Sequence, residues 1–263
     1  MPTGTDLLRL SDVTKRFGGL TAVDGVSFSV AEGTVHGVIG PNGAGKSTLV
    51  NMIAGAIRPT SGEIRFRDRE VGRSPAHRRS RTGITRTFQE IRLFPEFTVM
   101  ENVVSGFHSR RRTGVPDALL GLPRGRRERR EAVERAGEVI DFVGLSDLAG
   151  AVAADLPYGH RRLTEVARAL APEPELVLLD EPAAGMNANE RQNLVALIAR
   201  IRDGGRTVVV IEHHMDVIMS ACSTITVLSQ GKKLSEGTPA EVQKDPDVLA
   251  AYLGPAVESG EHA

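Results

Sequence analysis

The residues Gly40, Pro41, Asn42, Gly43, Ala44, Gly45, Lys46, Ser47 and Thr48 have the types and spacing of a loop that cradles phosphate groups. Gly43 and Gly45 admit backbone conformations and close approaches that a side chain forbids, so successive N–H groups and a helix N-terminus can face an anion. Lys46 suits the outer phosphates of a nucleotide, and the Ser47 hydroxyl suits Mg²⁺. Downstream, Leu176-Val-Leu-Leu-Asp180-Glu181-Pro182 ends an apolar run in two acids. Asp180 fits a Mg²⁺ held through its water shell, and Glu181 fits the polarisation of an attacking water. Each feature also has a plainer reading, as a glycine-rich turn and as helix-capping acids.

The elements around these residues agree with phosphate chemistry. Short alternating segments, Leu8 to Val13, Val26 to Val30 and Thr34 to Ile39, are separated by Gly-Gly, Asp-Gly and Glu-Gly turn signals and predict an antiparallel β start. After Gly40 a helix carries Leu49, Val50, Met52 and Ile53. The runs Leu176 to Leu179 and Thr207 to Ile211 suit strands buried on both faces of a parallel sheet. Between Phe88 and His160 the chain turns polar, Arg-rich and helical, which predicts an insert within one core. The core resumes with Leu163, Val166, Ala167 and Leu170 at helical spacing and a further helix from about Ala188 to Arg202. Thr238-Pro239-Ala240-Glu241 carries a helix-start signature, and Asn187 with Glu190 carries another.

Composition excludes little. The formal charge is balanced, so nothing points to nucleic acid, although Ser105 to Arg135 holds nine Arg against four acids. That stretch reads as a solvated helix face, with an anionic lipid surface as the alternative. The single cysteine, Cys222, forms no internal disulfide and reads as a small core residue. No basic segment followed by an apolar run opens the sequence, and no apolar stretch approaches the roughly 18 residues of a spanning helix. Any membrane role therefore passes through partners.

Three further motifs carry a family resemblance. Arg86-Thr-Phe-Gln89 resembles a Q-loop, and Leu156-Pro-Tyr-Gly-His160 stands where the ABC signature is found. Glu212-His213 follows the next strand as a switch histidine does. With the phosphate loop and acid pair they occur in the order of ABC transporter ATP-binding subunits, across nearly the whole chain. The wording of Phe17-Gly-Gly-Leu20, of Arg86 to Pro95, of Asp180-Glu-Pro-Ala-Ala-Gly185 and of Asp247 to Gly254 resembles the subunits that power import of branched-chain amino acids. Importers of urea and short amides share much of it.

The resemblance implies an α/β fold, a P-loop NTPase cassette with a RecA-like core and an antiparallel β subdomain (1–87 and 161–263) and an inserted helical subdomain (88–160). It implies ATP and Mg²⁺ as ligands, with Phe17 stacking on adenine, Gln89 and Ser47 helping Asp180 to order Mg²⁺, and His213 contacting the γ-phosphate. Phe17 has an alternative as a core residue, and Gln89 and His213 as ordinary strand-end residues. Tyr158 and Gly159 would close the ATP site of a second ATP-binding subunit packed head to tail. The other partners implied are membrane permeases and, indirectly, a solute-binding protein, with the chain peripheral on the cytoplasmic face of the membrane. Ile91, Leu93, Phe94, Phe97 and Val99 form a candidate permease-docking surface, or else pack within the insert. Pro157 replaces the usual signature Ser, Asn187 a usual Asp, and His214 another. Because Pro157 lacks a hydroxyl and an N–H, it predicts an asymmetric pair in which the site on Lys46 and Glu181 does most of the hydrolysis. An exporter cassette and a non-hydrolysing module are the competing readings. A DNA- or ribosome-acting ATPase is disfavoured by the lack of a long coiled-coil insert or second cassette.

Overall fold

The computed structural model describes residues 5–107 and 123–253, with backbone alone for 123–126 and 253. Two sheets carry the chain. β1 (Asp6–Phe17) and β2 (Leu20–Ala31) form a hairpin about Gly18, and with β4 (Ser61–Phe66) and β5 (Arg69–Glu70) they give an antiparallel sheet ordered β2-β1-β4-β5. The second sheet is ordered β10-β9-β3-β8-β7-β6. Its strands are β3 (Val35–Ile39), β6 (Ile84–Arg86), β7 (Leu176–Asp180), β8 (Thr207–Ile211), β9 (Thr224–Ser229) and β10 (Lys232–Gly237). All pair in parallel except β10, which runs antiparallel along the edge.

One expectation is corrected here. Thr34 to Ile39 does not extend the antiparallel start. It supplies β3, paired in parallel with β8 and β9 inside the second sheet. The reason is burial on both faces: Val35 and Ile39 enter one apolar cluster, and Val38 enters the other. The same alternation runs through β7 and β8, where Val177, Leu179, Val208 and Val210 face one cluster and Leu176, Leu178, Val209 and Ile211 face the other. Apolar side chains on both faces give the unbroken runs seen in the sequence.

The helices are α1 (Lys46–Ala54), α2 (Ala76–Thr82), α3 (Val99–Gly106), α4 (Pro123–Phe142), α5 (Tyr158–Leu170), α6 (Ala188–Asp203), α7 (Met215–Ala221), α8 (Pro239–Lys244) and α9 (Pro246–Leu253). Both sequence-read helix starts are capping boxes, Asn187 with Glu190 opening α6 and Thr238 with Glu241 opening α8. Segment 88–97 is neither helix nor strand. Thr98 and Glu101 form a third capping box, so Val99 opens α3 with its side chain wholly buried. Val99 is therefore core rather than docking surface. Of the Arg-rich stretch, Arg110, Arg111 and Arg112 lie outside the described residues, while Arg127 pairs with Glu131 and Arg135 with Glu173. Cys222 is buried, and burial pushes its thiol up to about 12, so it is an unreactive core residue.

His36 on β3 is 2% exposed, stacks on Phe28 at 5.2 Å and hydrogen-bonds Thr226 Oγ1 through Nε2 at 2.9 Å. Burial, with a smaller contribution from Lys233, lowers its pKa from 6.5 to about 4. The unfolded chain therefore binds a proton that the folded chain refuses between those values, and stability falls as pH drops through that window. At 1.36 kcal/mol per pKa unit, this residue alone removes about 2 kcal/mol between pH 7 and pH 5. Urea midpoints at the two pH values check this, and His36→Gln should make the decline shallower.

Candidate active site

Four motif-bearing segments leave the carboxyl ends of four adjacent strands. The phosphate loop follows β3, Glu212-His213 follows β8, the acid pair closes β7, and the Gln89 segment follows β6. Parallel sheets bind ligands at this edge because their loops converge there.

Gly40, Gly43 and Gly45 all have positive φ, at 151°, 81° and 96°. A Cβ on Gly40 would stand 2.1 Å from Leu228 O, and one on Gly45 would stand 2.5 Å from Ala22 O, whereas one on Gly43 would meet nothing within 4 Å. The loop is thus pressed against β9 and the hairpin on one side and open on the other. Its open side is where Asn42 and Ser47 are exposed, while Ala44 and Lys46 are buried. Lys46 Nζ donates to Gly40 O at 2.6 Å and Pro41 O at 3.0 Å, lying within its own loop. Burial lowers its pKa, opposed by the nearby charges of Glu181 and Asp180. Burial raises the pKa of the Tyr252 phenol of α9, opposed by a hydrogen bond with the Gly40 backbone, so α9 reaches the start of the loop.

The acids are held from several sides. Asp180, nearly wholly buried, accepts from Arg86 Nη2 at 2.7 Å, and Arg86 Nη1 donates to Asn51 of α1 at 2.5 Å. Its backbone N–H donates to Thr87 Oγ1 at 3.1 Å. Glu181 has a φ of 48°, a left-handed conformation uncommon outside glycine. That turn brings its Oε2 to 3.3 Å from Gln89 Nε2. Glu212 is buried behind them. Its Oε1 accepts from Ala183 N at 2.7 Å, and its Oε2 accepts from His213 N at 3.0 Å and His214 N at 3.2 Å. It therefore ties the turn after the acid pair to His213, whose ring is about half exposed. His214 Nδ1 lies 3.0 Å from the same Oε2. Glu212, His213 and His214 could group around a metal, but the donors already on the Glu212 carboxylate account for their closeness.

Gln89 and Glu181 are thus brought together, close enough to Lys46 for the Glu181 charge to act on it. Phe17 sits apart at the end of β1, half exposed, with Lys15 Nζ 4.9 Å above its ring. Exposure fits base stacking and not the core alternative. Tyr158 and Gly159 open α5 against their own chain's loop after the acid pair: a Cβ on Gly185 would meet Tyr158 at 3.0 Å, and one on Gly159 would meet Glu190 at 2.8 Å. Pro157 is the N-cap of α5 and provides no side-chain cap. Sequence reasoning assigned no role to Arg86, Glu212, Arg162 or Glu165, all engaged in or beside the site.

These features define a P-loop nucleotide-hydrolysing cassette. The family model for ABC transporters matches residues 23–184, and one for branched-chain amino acid ATP-binding cassette transporters matches 232–254. The chain is 43% identical to the high-affinity branched-chain amino acid transport ATP-binding protein BraF of Pseudomonas aeruginosa. It is 41% identical to LivG, of the same description, of Escherichia coli K12. Each match covers 95% of this chain and 98% of the relative. The solved ADP conformation of MJ1267, an ATP-binding cassette of an ABC transporter, superimposes with a TM-score of 0.84 at 31% identity, over 95% of this chain and 99% of that one. A dimeric cassette, MJ0796 bound to ADP and Pi, gives 0.75 at 25% identity, over 88% and 98%. The chain belongs to the ABC transporter family, and its chemistry is ATP hydrolysis. Among the described residues no helix is long and apolar enough to cross a membrane.

Proposed function

We propose that this chain is the ATP-hydrolysing subunit of an importer of branched-chain amino acids, working with membrane permeases and a second cassette on the cytoplasmic face of the membrane, with a solute-binding protein delivering the solute. The observation that carries the hydrolytic part is the placement of Glu181 beside Gln89 and near Lys46 at one sheet edge. Likeness to BraF and LivG along nearly their whole length supports the solute class.

Residues 40–48 hold the phosphates of ATP, with Lys46 leaving its loop carbonyls for the outer phosphates and Phe17 stacking on the adenine. The exposed Ser47 hydroxyl, the Asp180 carboxylate and the Gln89 amide oxygen would supply the hard oxygen donors that Mg²⁺ takes. When bound, the ion neutralises charge on the phosphates. Glu181 accepts a hydrogen bond from the attacking water and takes up its proton as the water oxygen bonds to the γ-phosphorus and the bond to the bridging oxygen breaks. His213 donates toward the γ-phosphate oxygens. Tyr158 and Gly159 serve the ATP of the second cassette. The core (1–87 and 161–263) and the insert (88–160) are two parts of one domain.

The permease docks beside Phe94 and Phe97, which are exposed with ring centroids 5.0 Å apart. Earlier in the same segment, Phe88 and Arg92 line a cavity of ≈ 520 Å³ with Ile84, Arg168 and Ala169 among others. Ile91 and Leu93 are partly exposed. Phe94→Asp should cost docking about 2 kcal/mol, the scale of an aromatic anchor, and so roughly a thirtyfold loss of uptake. ATP affinity of the purified chain should stay within twofold. Unchanged uptake would remove this docking site.

The solute class is tested by uptake of labelled leucine, isoleucine and valine, and of urea and acetamide, in cells lacking the gene and complemented with it. Restored uptake of the three amino acids alone is the expected result. Restored urea or amide uptake would replace the solute, and enhanced efflux would replace the direction.

A further inference from the structure

Segment 88–92 connects β6 to the permease-facing side and carries Gln89, yet it has no ladder or helix of its own. Backbone groups in such a segment need other partners. Here α5 supplies them. Arg162 Nη1 donates to Phe88 O at 2.6 Å, and its Nη2 donates to Gln89 O at 2.8 Å. Glu165 Oε1 accepts from Phe88 N and from Arg92 N, each at 3.3 Å. Arg168, a further turn along, donates to Arg92 O.

Arg162 and Glu165 are themselves an ion pair at 2.9 Å, with side chains 0% and 1% exposed. Two charges taken out of water are costly, and a pair of apolar residues would hold α5 in the core as well. What apolar residues cannot do is grip four backbone groups in a segment 73 to 77 residues away in sequence. The grip also reaches toward the helix start: Arg162 Nη2 donates to Tyr158 Oη at 3.1 Å. Tyr158 and Gly159 are the residues that would meet the second cassette's nucleotide. One arginine therefore touches both the backbone of Gln89 and the side chain of Tyr158.

We propose that Arg162 and Glu165 are positioning residues that fasten Gln89 to the start of α5, so that the docking of Tyr158 and Gly159 on the second cassette sets whether Gln89 faces Glu181. Hydrolysis at this chain's own site is then conditioned on the engagement of its α5 with the opposite one. Neither residue touches ATP, and both act through Gln89. The inference rests on the roles of Gln89 and Glu181 proposed above.

A double-mutant cycle in the intact transporter separates positioning from general structural support. Glu165→Gln keeps the shape of the side chain and removes its charge. It should lower kcat for ATP about tenfold, leave the Kd for a fluorescent ATP analogue within twofold, and speed amide exchange at Phe88 and Arg92. In a Gln89→Ala background, where there is no side chain left to position, the same change should have no further effect on kcat. An equal tenfold loss in both backgrounds, or a loss confined to Kd, would overturn the inference. If Glu165→Gln does not fold, Arg162→Lys, which keeps a charge but cannot span both carbonyls, is run through the same cycle with the same expected outcomes. A Gln89→Ala chain with normal kcat would instead sink the underlying assignment of Gln89, and the inference with it.

Discussion

Changing Glu181 to Gln should lower ATP turnover at this chain's site by about 10²- to 10⁴-fold, the range for a positioned general base, while ATP binding holds within a few fold. The amide keeps the size of the side chain and can still meet Gln89, so the left-handed turn at Glu181 and its backbone bond to Ile211 O at 2.9 Å persist. What goes is the ability to take a proton from water. Lys46 loses one of the two negative charges that counter its burial, a change that acts on affinity only modestly. The same variant examines the asymmetry proposed from Pro157. The α5 N-cap here offers neither hydroxyl nor N–H, so the opposite site is the one deprived of a donor, and the amide change in this chain should cost the assembled transporter more than the matching change in its partner cassette. Single-turnover phosphate release from each singly altered complex checks both points, and equal losses from the two changes would remove the asymmetry.

The second large effect is structural. Gly40→Ala should destabilise the chain by about 3 kcal/mol or more, because strain at φ 151° adds to a Cβ placed 2.1 Å from a backbone oxygen. Leu228 O belongs to β9, whose pairing with β3 runs through Ile39 and Val227, so neither side can retreat without breaking the sheet. For a chain of this size that corresponds to roughly 6–12 °C in Tm. The loop beyond Gly40 would shift with it, and ATP affinity should fall alongside. Gly43→Ala is the control: its Cβ meets nothing within 4 Å and only its φ of 81° is strained, so the cost should be about 1–2 kcal/mol. Thermal melts of the two variants with and without ATP measure the difference. Equal shifts would mean that the contact with β9 does not hold the loop.

The residues proposed to bind and hydrolyse ATP stood out because their chemistry is local. A phosphate loop needs glycines at fixed offsets, and acids ending an apolar run announce a strand end, so residues 40–48, Asp180 and Glu181 stand out as candidates by spacing alone. The sheet that receives a short strand is a different matter. Val35 to Ile39 is buried on both faces, and no turn signal beside it states whether its neighbours are β2 or β8. Val99 stays open between docking surface and core on its own, and only the Thr98 and Glu101 pair, a helix-start signal beside it in the sequence, points to the buried first turn of α3. Arg162 and Glu165 left no readable pattern, since their partners are backbone atoms of a remote segment and any residue types there would present the same groups. Arg86 has no role legible in its motif, because its bond to Asp180 exists only once β6 lies beside β7.

The most direct test of the account is ATP-dependent accumulation of labelled leucine by vesicles carrying the reconstituted transporter, with ATP consumption read in the same sample, for the native chain and for Glu181→Gln. The account predicts that the native chain accumulates leucine as ATP is consumed, and that the variant binds ATP but loses consumption and accumulation together. Leucine accumulation that persists in the variant would contradict hydrolysis at this site as the source of transport.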